Sequence, residues 1–381
     1  MNRFSLPRAI KLPQANTLPQ ANTLPQANTL PQANLSPIAI WEARSRLYPY
    51  ILRTPLLYSQ DLSARFGAPI YLKMECWQHC GSFKIRGLLN RVLSLPSERG
   101  ESGLAASSCG NQGIALAYVG GLFQLPVTIF LPTEADPEKV TSIQALGGET
   151  IVTGESLPDA FKEAQSFAAR TGRTLIYHDH PAVMAGHGTV GLEILEDLPD
   201  VEQILVPIGA GGLCSGIATA VKASSPSCSI IGVEPASAPG AYLSLQEGRC
   251  LERIATKPSL ADGLLGGPSP VTFRLLSLFL EQVALAEEEE ILQAMALLQK
   301  SEQVLVEGSG AVGLAVLLSG QVKATKKRTV LVITGRNVSQ KQWNQVRTRC
   351  RGLSSCRGLS SLASESASLK IGVAPQEKGH G

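Results

Sequence analysis

Between residues 76 and 87 the chain reads CWQHCGSFKIRG, and two chemistries compete for it. Cys76, His79 and Cys80 are soft donors lying close together, the types that hold zinc. The second half, Gly81-Ser82-Phe83-Lys84 followed by Arg86-Gly87, presents an amine among small residues, as covalent lysine chemistry requires. A lone lysine is ordinarily a solvated surface charge. The metal reading lacks a second ligand pair at zinc spacing, since His178, His180, His187 and His380 show no matching signature. The stretch has to be judged with the loops able to share a crevice with it.

Four such loops follow apolar runs. GAGGL at 209–213 comes after QILVPI and opens a helical pattern. Gly209, Gly211 and Gly212 let the backbone approach a ligand, Ala210 and Leu213 complete the turn, and the free N–H groups of the helix start suit an anion such as phosphate. The loop is neither GxGxxG nor a Walker sequence, which argues against an ordinary nucleotide or dinucleotide. SSCGNQG at 107–113 follows GLAA; the backbone around Ser108, Cys109, Gly110 and Gln112 offers amides to a carboxylate, and Asn111 can donate to or accept from a ring substituent. Glu307 stands before the small-residue turn and helix of VEGSGAVGLAVLL, and Thr334 ends the run VLVIT with a hydroxyl. Taken singly, each loop reads equally well as a tight turn or a helix cap. Together they carry weight only if the elements beneath them converge.

Those elements alternate. Short apolar runs, PIYLKME, PVTIFLP, ETIVTG, QILVPIG, SIIGVEP and TVLVITG, are separated by helical patterns such as GLLNRVLSL, PEKVTSIQALG, LPDAFKEAQSFAARTG and GLCSGIATAVKAS. Continuous apolar strands between helices predict an α/β fold with parallel sheets covered on both faces. In open parallel sheets ligands bind beyond the carboxyl ends of the strands, where Lys84 and the four loops fall.

With 381 residues, two domains are expected. Net charge is +3, and no Lys/Arg run interleaves with aromatics, so nucleic acid is not an expected partner. The start, MNRFSLPRAIKLPQAN, lacks the apolar core of a secretion signal, and no apolar run approaches the ~18 residues of a membrane span. An intracellular protein with scattered free cysteines is expected. Residues 12 to 35 repeat LPQANT four times, the last ending in Leu, and CRGLSS occurs at 350–355 and again at 356–361, so the body lies between about 36 and 345.

The motifs GSFKIRG, SSCGN, GHGTVGLEI, GAGGL, IGVEP, ADG, EGSGAVG and ITGRNVS, in this order over that body, resemble the pyridoxal-phosphate enzymes of the tryptophan-synthase-β fold. Within them the chain looks most like the threonine/serine dehydratase and serine racemase branch. The resemblance implies a two-domain α/β fold, each domain an open, mostly parallel sheet covered by helices. A large domain would comprise 36–100 and 178–345 and a small one 101–177, with a disordered repeat arm over 1–35 and a low-complexity tail over 346–381. Lys84 would carry pyridoxal 5'-phosphate and act as the base, Phe83 would pack on its ring, and residues 209–213 would hold its phosphate. Asn111 would contact the ring hydroxyl, Thr334 the pyridine nitrogen, and Glu307 would line the cofactor site. Ser108, Cys109, Gly110 and Gln112 would seat the substrate carboxylate. The implied activity is an ammonia-lyase (dehydratase) converting a small β-hydroxy amino acid such as L-threonine or L-serine to a 2-oxo acid and ammonia. Alternatives are an amino-acid racemase, a β-replacement synthase, or a catalytically weak cofactor-binding homologue. A cytoplasmic homodimer, with neither membrane nor nucleic-acid partner, is expected.

Several positions depart from the family pattern. Cys109 stands where racemases carry a serine base, which favours dehydration. Gln112 replaces a histidine, Ala210 interrupts the glycines, and Arg336 brings a long cation to the last loop. Glu234 matches one ligand of a cation site, but position 240 is Gly, so no metal is expected. Cys80 stands where threonine is usual; with Cys109 it would line the crevice and make the protein sensitive to thiol reagents.

Overall fold

The computed structural model describes residues 9–11, 35–95, 102–108, 110–324 and 326–352. In chain order these form β1 (Ala9–Lys11), α1 (Pro37–Leu47), β2 (Leu56–Tyr58), α2 (Gln60–Phe66), β3 (Ile70–Lys73), α3 (Lys84–Leu93), β4 (Leu104–Ser107), α4 (Asn111–Phe123), β5 (Val127–Leu131), α5 (Pro137–Ala145), β6 (Glu149–Val152) and α6 (Leu157–Thr171). There follow β7 (Thr174–Leu175), α7 (Pro181–Asp197), β8 (Gln203–Pro207), α8 (Gly212–Ser224), β9 (Ser229–Pro235), α9 (Gly240–Glu247), α10 (Pro270–Phe279), β10 (Gln282–Ala286), α11 (Glu288–Ser301), α12 (Gly308–Leu318), β11 (Thr329–Val332) and α13 (Gln340–Gly352).

Two sheets result. The larger runs β1-β10-β9-β8-β11-β3-β2, parallel throughout except for its antiparallel edge strands β1 and β2; the smaller runs β6-β5-β4-β7 and is wholly parallel. The α/β class and mostly parallel sheets match the expectation from alternating apolar runs. Residues 9–11 of the arm expected to lack structure instead form β1; the LPQANT repeats at 12–34 and the tail beyond 352 lie outside the described residues.

Strand order places the site. In the larger sheet β9 and β10 lie on one side of β8 while β11 and β3 lie on the other, so the loop after β8 sits where the winding reverses. In the smaller sheet β4 is flanked by β5 and β7, which makes its end the corresponding point. Every residue of β5, β8 and β9 is buried, as strands covered on both faces require. Apolar cores fill both faces of the larger sheet, and a third joins Ile85, Leu88 and Leu89 of α3 to Leu104, Ile114 and Leu116 of the smaller-sheet region. Helix α3 thus packs into the smaller-sheet core, while Phe83 just before it belongs to a core of the larger sheet.

Behind α3 the packing is close. A Cβ on Gly186 of α7 would lie 2.3 Å from the Arg86 carbonyl oxygen, so α3 and α7 touch backbone to backbone. Between them is a buried ionic quartet. The Arg86 guanidinium donates through Nε and Nη2 to Glu75 at 2.7 and 2.8 Å, and through Nη1 and Nη2 to Glu193 at 2.7 and 2.9 Å. Lys73 adds a bond to Glu193 at 2.5 Å and one to the Thr54 carbonyl at 2.6 Å. Two cations face two carboxylates, all of them buried, so the group is neutral and its donors are matched to acceptors.

Candidate active site

The exits of β3 and β11 run side by side. Beyond β3 the chain makes two short turns, Glu75–Trp77 and His79–Gly81. The Cys76 N–H donates to the Ile333 carbonyl at 2.8 Å, Arg336 N–H to Gly81 at 2.9 Å and Phe83 N–H to Thr334 at 3.1 Å, while an antiparallel bridge joins Ser82 to Gly335. These links hold the start of α3, and hence Lys84, against the end of β11.

Lys84 is half-buried, with its Nζ 4.8 Å from the centre of the Phe83 ring, a cation–π distance. Burial lowers its pKa to about 8, against the opposing pull of the Glu307 carboxylate. Among the described residues no hydrogen bond engages Nζ. The Phe83 ring also meets the His187 ring, edge to face, at 4.8 Å and 65°. That imidazole is buried, and burial followed by the charges of Lys84, Arg86 and His178 holds its pKa well below the usual value, so it is neutral. The Thr334 hydroxyl is buried without a hydrogen-bond partner among the described residues, as are Ser82 Oγ and His187 Nδ1.

Glu307, buried at the start of α12, is pushed up to about pKa 7 by desolvation, and two hydrogen bonds from Asn111 Nδ2, at 2.8 and 3.0 Å, pull the other way. The two come from different sheets: Asn111 opens α4 after β4, whereas Glu307 follows α11. A second cross-crevice link is the Lys139–Asp262 ion pair at 2.5 Å, from α5 to the turn Asp262–Leu264. That turn also backs the phosphate-type loop, for a Cβ on Gly209 would lie 3.2 Å from the Gly263 carbonyl oxygen.

The 209–213 loop has the shape of an anion cradle. Gly211 adopts φ +89, and a Cβ there would approach the Thr272 side chain at 2.9 Å. Ala210 keeps negative φ, so its methyl is tolerated, and its carbonyl accepts from Thr272 Oγ1 at 2.8 Å. The backbone N–H groups from Gly209 to Cys214 donate to none of the described residues, leaving a row of donors at the start of α8.

The loop at 108–112, expected to seat a carboxylate, offers fewer free donors than expected. Ser108 Oγ already accepts from Gly110 N–H at 3.2 Å and Gly113 N–H at 3.1 Å, which is the capping role, so the Gly110 amide is turned inward. The N–H groups of Asn111 and Gln112, in the first turn of α4, donate to no described residue. Cys109 lies outside the described residues.

The metal reading fails on placement. Cys76 is wholly buried in the core, His79 stacks on Tyr118 at 5.8 Å, and no group of three metal-donor side chains occurs among the described residues. Glu234 is occupied otherwise: its two oxygens accept from the Ala241 and Tyr242 N–H groups at 2.8 and 2.9 Å, capping α9. Burial pushes the Cys80 thiol up to about 12, so it is a poor nucleophile, contrary to the expected thiol sensitivity at that position. Arg336 is exposed beside Gly81. Asn337, His187 and the Arg86 quartet were not singled out from the sequence; only the GHGT motif pointed toward one of them.

Comparison with known proteins fits this geometry. Residues 47–335 match a family model described as pyridoxal-phosphate dependent enzyme. The chain is 41% identical over 304 residues to an L-threonine ammonia-lyase of Geobacter sulfurreducens, covering 79% of this chain and 75% of that one. Among solved structures it is similar to maize serine racemase, with a TM-score of 0.77, 32% identity and coverage of 84% and 98% of the two chains. It is also similar to the processed form of threonine deaminase isoform 2 from Solanum lycopersicum, with a TM-score of 0.75, 29% identity and coverage of 82% and 91%.

Proposed function

This chain belongs to the pyridoxal-phosphate-dependent enzyme family, and on that premise we propose that it is an ammonia-lyase converting L-threonine, L-serine or a similar β-hydroxy amino acid to a 2-oxo acid and ammonia. The residues present fit the cofactor. A row of unpaired N–H groups at 209–214 suits its phosphate, the orphaned Thr334 hydroxyl its ring nitrogen, and the Lys84 amine its aldehyde carbon. When bound, the cofactor supplies an electron sink for the carbanion formed at the substrate α-carbon.

The observation that carries the reading is that one backbone bond, from Phe83 N–H to the Thr334 carbonyl, ties the start of the helix bearing Lys84, an amine of lowered pKa, to the residue whose hydroxyl has no partner among the described residues. Near neutral pH a useful fraction of Lys84 is the free amine, able to take the α-proton at Nζ. Phe83 would pack against the ring, and the Thr334 hydroxyl would meet its nitrogen as a neutral group. Such a group gives no counter-charge to a protonated nitrogen, which suits elimination over transamination. Glu307, near pKa 7, holds Asn111 and balances charge at Lys84. Ser108, with the amides of Asn111 and Gln112 and the neighbouring Cys109 and Gly110, seats the substrate carboxylate. We place the small domain at 101–177 and the large one at 36–100 and 178–345, with substrate entering between the two sheets. No helix among the described residues is long and apolar enough to cross a membrane, and we propose a cytoplasmic homodimer.

The test is a screen of L-threonine, L-serine and 3-hydroxyaspartate for release of ammonia and 2-oxo acid, with D-serine assayed in parallel. Ammonia and oxo acid in equal amounts are expected; D-serine without ammonia would assign a racemase instead.

A further inference from the structure

Hydrogen bonds through Asn337 and Asn111 run in one direction. The Cys80 carbonyl can only accept, and Asn337 Nδ2 donates to it at 2.8 Å. The other hydrogen of that nitrogen goes to Asn111 Oδ1 at 2.7 Å. Asn111 Nδ2 is thereby left facing Glu307, whose two oxygens, at 2.8 and 3.0 Å, share one of its hydrogens, while the other hydrogen meets no described residue. The two ends of a carboxamide are nearly identical in shape, so its partners decide which end points where. Here the relay is bounded by a backbone carbonyl, which can only accept, and by the Glu307 carboxylate, which in its ionised form accepts through both oxygens. Turning Asn111 over would set its NH2 against that of Asn337 and its oxygen against Glu307, two repulsions for two lost bonds.

The surroundings are shaped for Asn337. Its backbone N–H also acts on the Glu307 carboxylate, pulling that group's pKa down. Gly81 adopts φ +71, and a Cβ there would come within 2.6 Å of Asn337 Oδ1, so the turn leading to Lys84 leaves room for this side chain. Three chain segments, 80–81, 111 and 307, are tied at one residue that contacts no reacting atom.

We propose that Asn337 is a positioning residue that fixes the Asn111 carboxamide so that its second N–H, the one not held by Glu307, is offered to the bound ring, which then meets a donor at this point and not a carbonyl oxygen. The inference rests on the cofactor reading above. A donor there favours the charged form of the ring oxygen, which is the yellow form of the loaded protein.

The experiment uses the loaded protein without substrate and reads the ratio of its yellow to its near-ultraviolet cofactor absorbance across neutral and mildly alkaline pH. Asn337→Asp keeps the size but puts an acceptor where the donor stood; Asn337→Ala removes the relay and leaves space. The ratio is expected to fall about fivefold in Asn337→Asp, the population change one hydrogen bond brings, and by less in Asn337→Ala, where Asn111 can turn either way. Circular dichroism verifies the fold, and if Asn337→Asp does not fold, Asn337→Ala decides alone. A yellow wild type with an unchanged ratio in the folded variants overturns this inference only. A wild type that takes up no pyridoxal phosphate overturns the functional reading with it.

Discussion

Lys84 and Arg86 lie two residues apart in the first turn of one helix, yet Arg86 commits its guanidinium to two carboxylates while the Lys84 amine has no hydrogen bond among the described residues. The helix start therefore anchors one cation and frees the other. Anchoring sets where the amine is, and burial sets how readily it loses its proton.

Because burial lowers the Lys84 pKa to about 8, the neutral amine appears at lower pH than for an ordinary lysine near 10.4. The rate at which cofactor-free protein captures pyridoxal phosphate should rise with pH through about 8 and then level. Stopped-flow absorbance checks this; a rate still climbing toward pH 10 would show an unperturbed lysine.

Glu193→Gln removes one carboxylate from the quartet and leaves Arg86 and Lys73 with a single partner charge. The cost should be about 3–5 kcal/mol in urea unfolding at pH 7. The Glu193 pKa is raised by desolvation but lowered further by Arg86 and Lys73, so the net direction is down. Its contribution is then present above the ordinary carboxylate value near 4.3 and is lost as pH falls through the depressed folded value. Wild type and variant should converge in stability at low pH and diverge on return to neutrality.

Gly211→Ala forces a side chain into φ +89 and against Thr272, whereas Ala210→Gly only adds backbone freedom. The first should destabilise the protein by about 1–3 kcal/mol and weaken cofactor binding at least tenfold; the second should cost under about 1 kcal/mol. Thermal unfolding and fluorescence titration with pyridoxal phosphate separate them. Equal effects would mean that the loop tolerates any backbone there.

Iodoacetamide at neutral pH should leave Cys80 unlabelled in the folded protein, since its thiol, pushed up to about 12, stays protonated. Peptide mass spectrometry reads the outcome. Rapid labelling of Cys80 would show that the turn at 79–81 opens.

Much of the fold was legible because buried parallel strands leave uninterrupted apolar runs, and β5, β8 and β9 stand where PVTIFLP, QILVPIG and SIIGVEP placed them. Strand β10 was not, since QVALA runs into EEEEILQAMALLQ and composition there suits one continuous helix; only pairing with β9 makes it a strand. The loops nearest the site were legible for the same reason that makes them useful: glycine and small residues at strand ends announce backbone approach. What escaped is what depends on distance across the chain. Nothing local to Asn337 says that it meets Cys80 and Asn111, and nothing in the spacing of Lys73, Glu75, Arg86 and Glu193 says that their charges cancel in one buried cluster. Ser108 shows the converse, a residue singled out for a substrate carboxylate whose hydroxyl takes the capping role that the sequence equally offered.

The most direct measurement is to reduce the pyridoxal-phosphate-loaded protein with borohydride and map the labelled peptide. One pyridoxyl group is expected, on Lys84, and Lys84→Ala should carry no label and release no ammonia from L-threonine. Label on a different lysine, or ammonia release undiminished in Lys84→Ala, would contradict the role of Lys84.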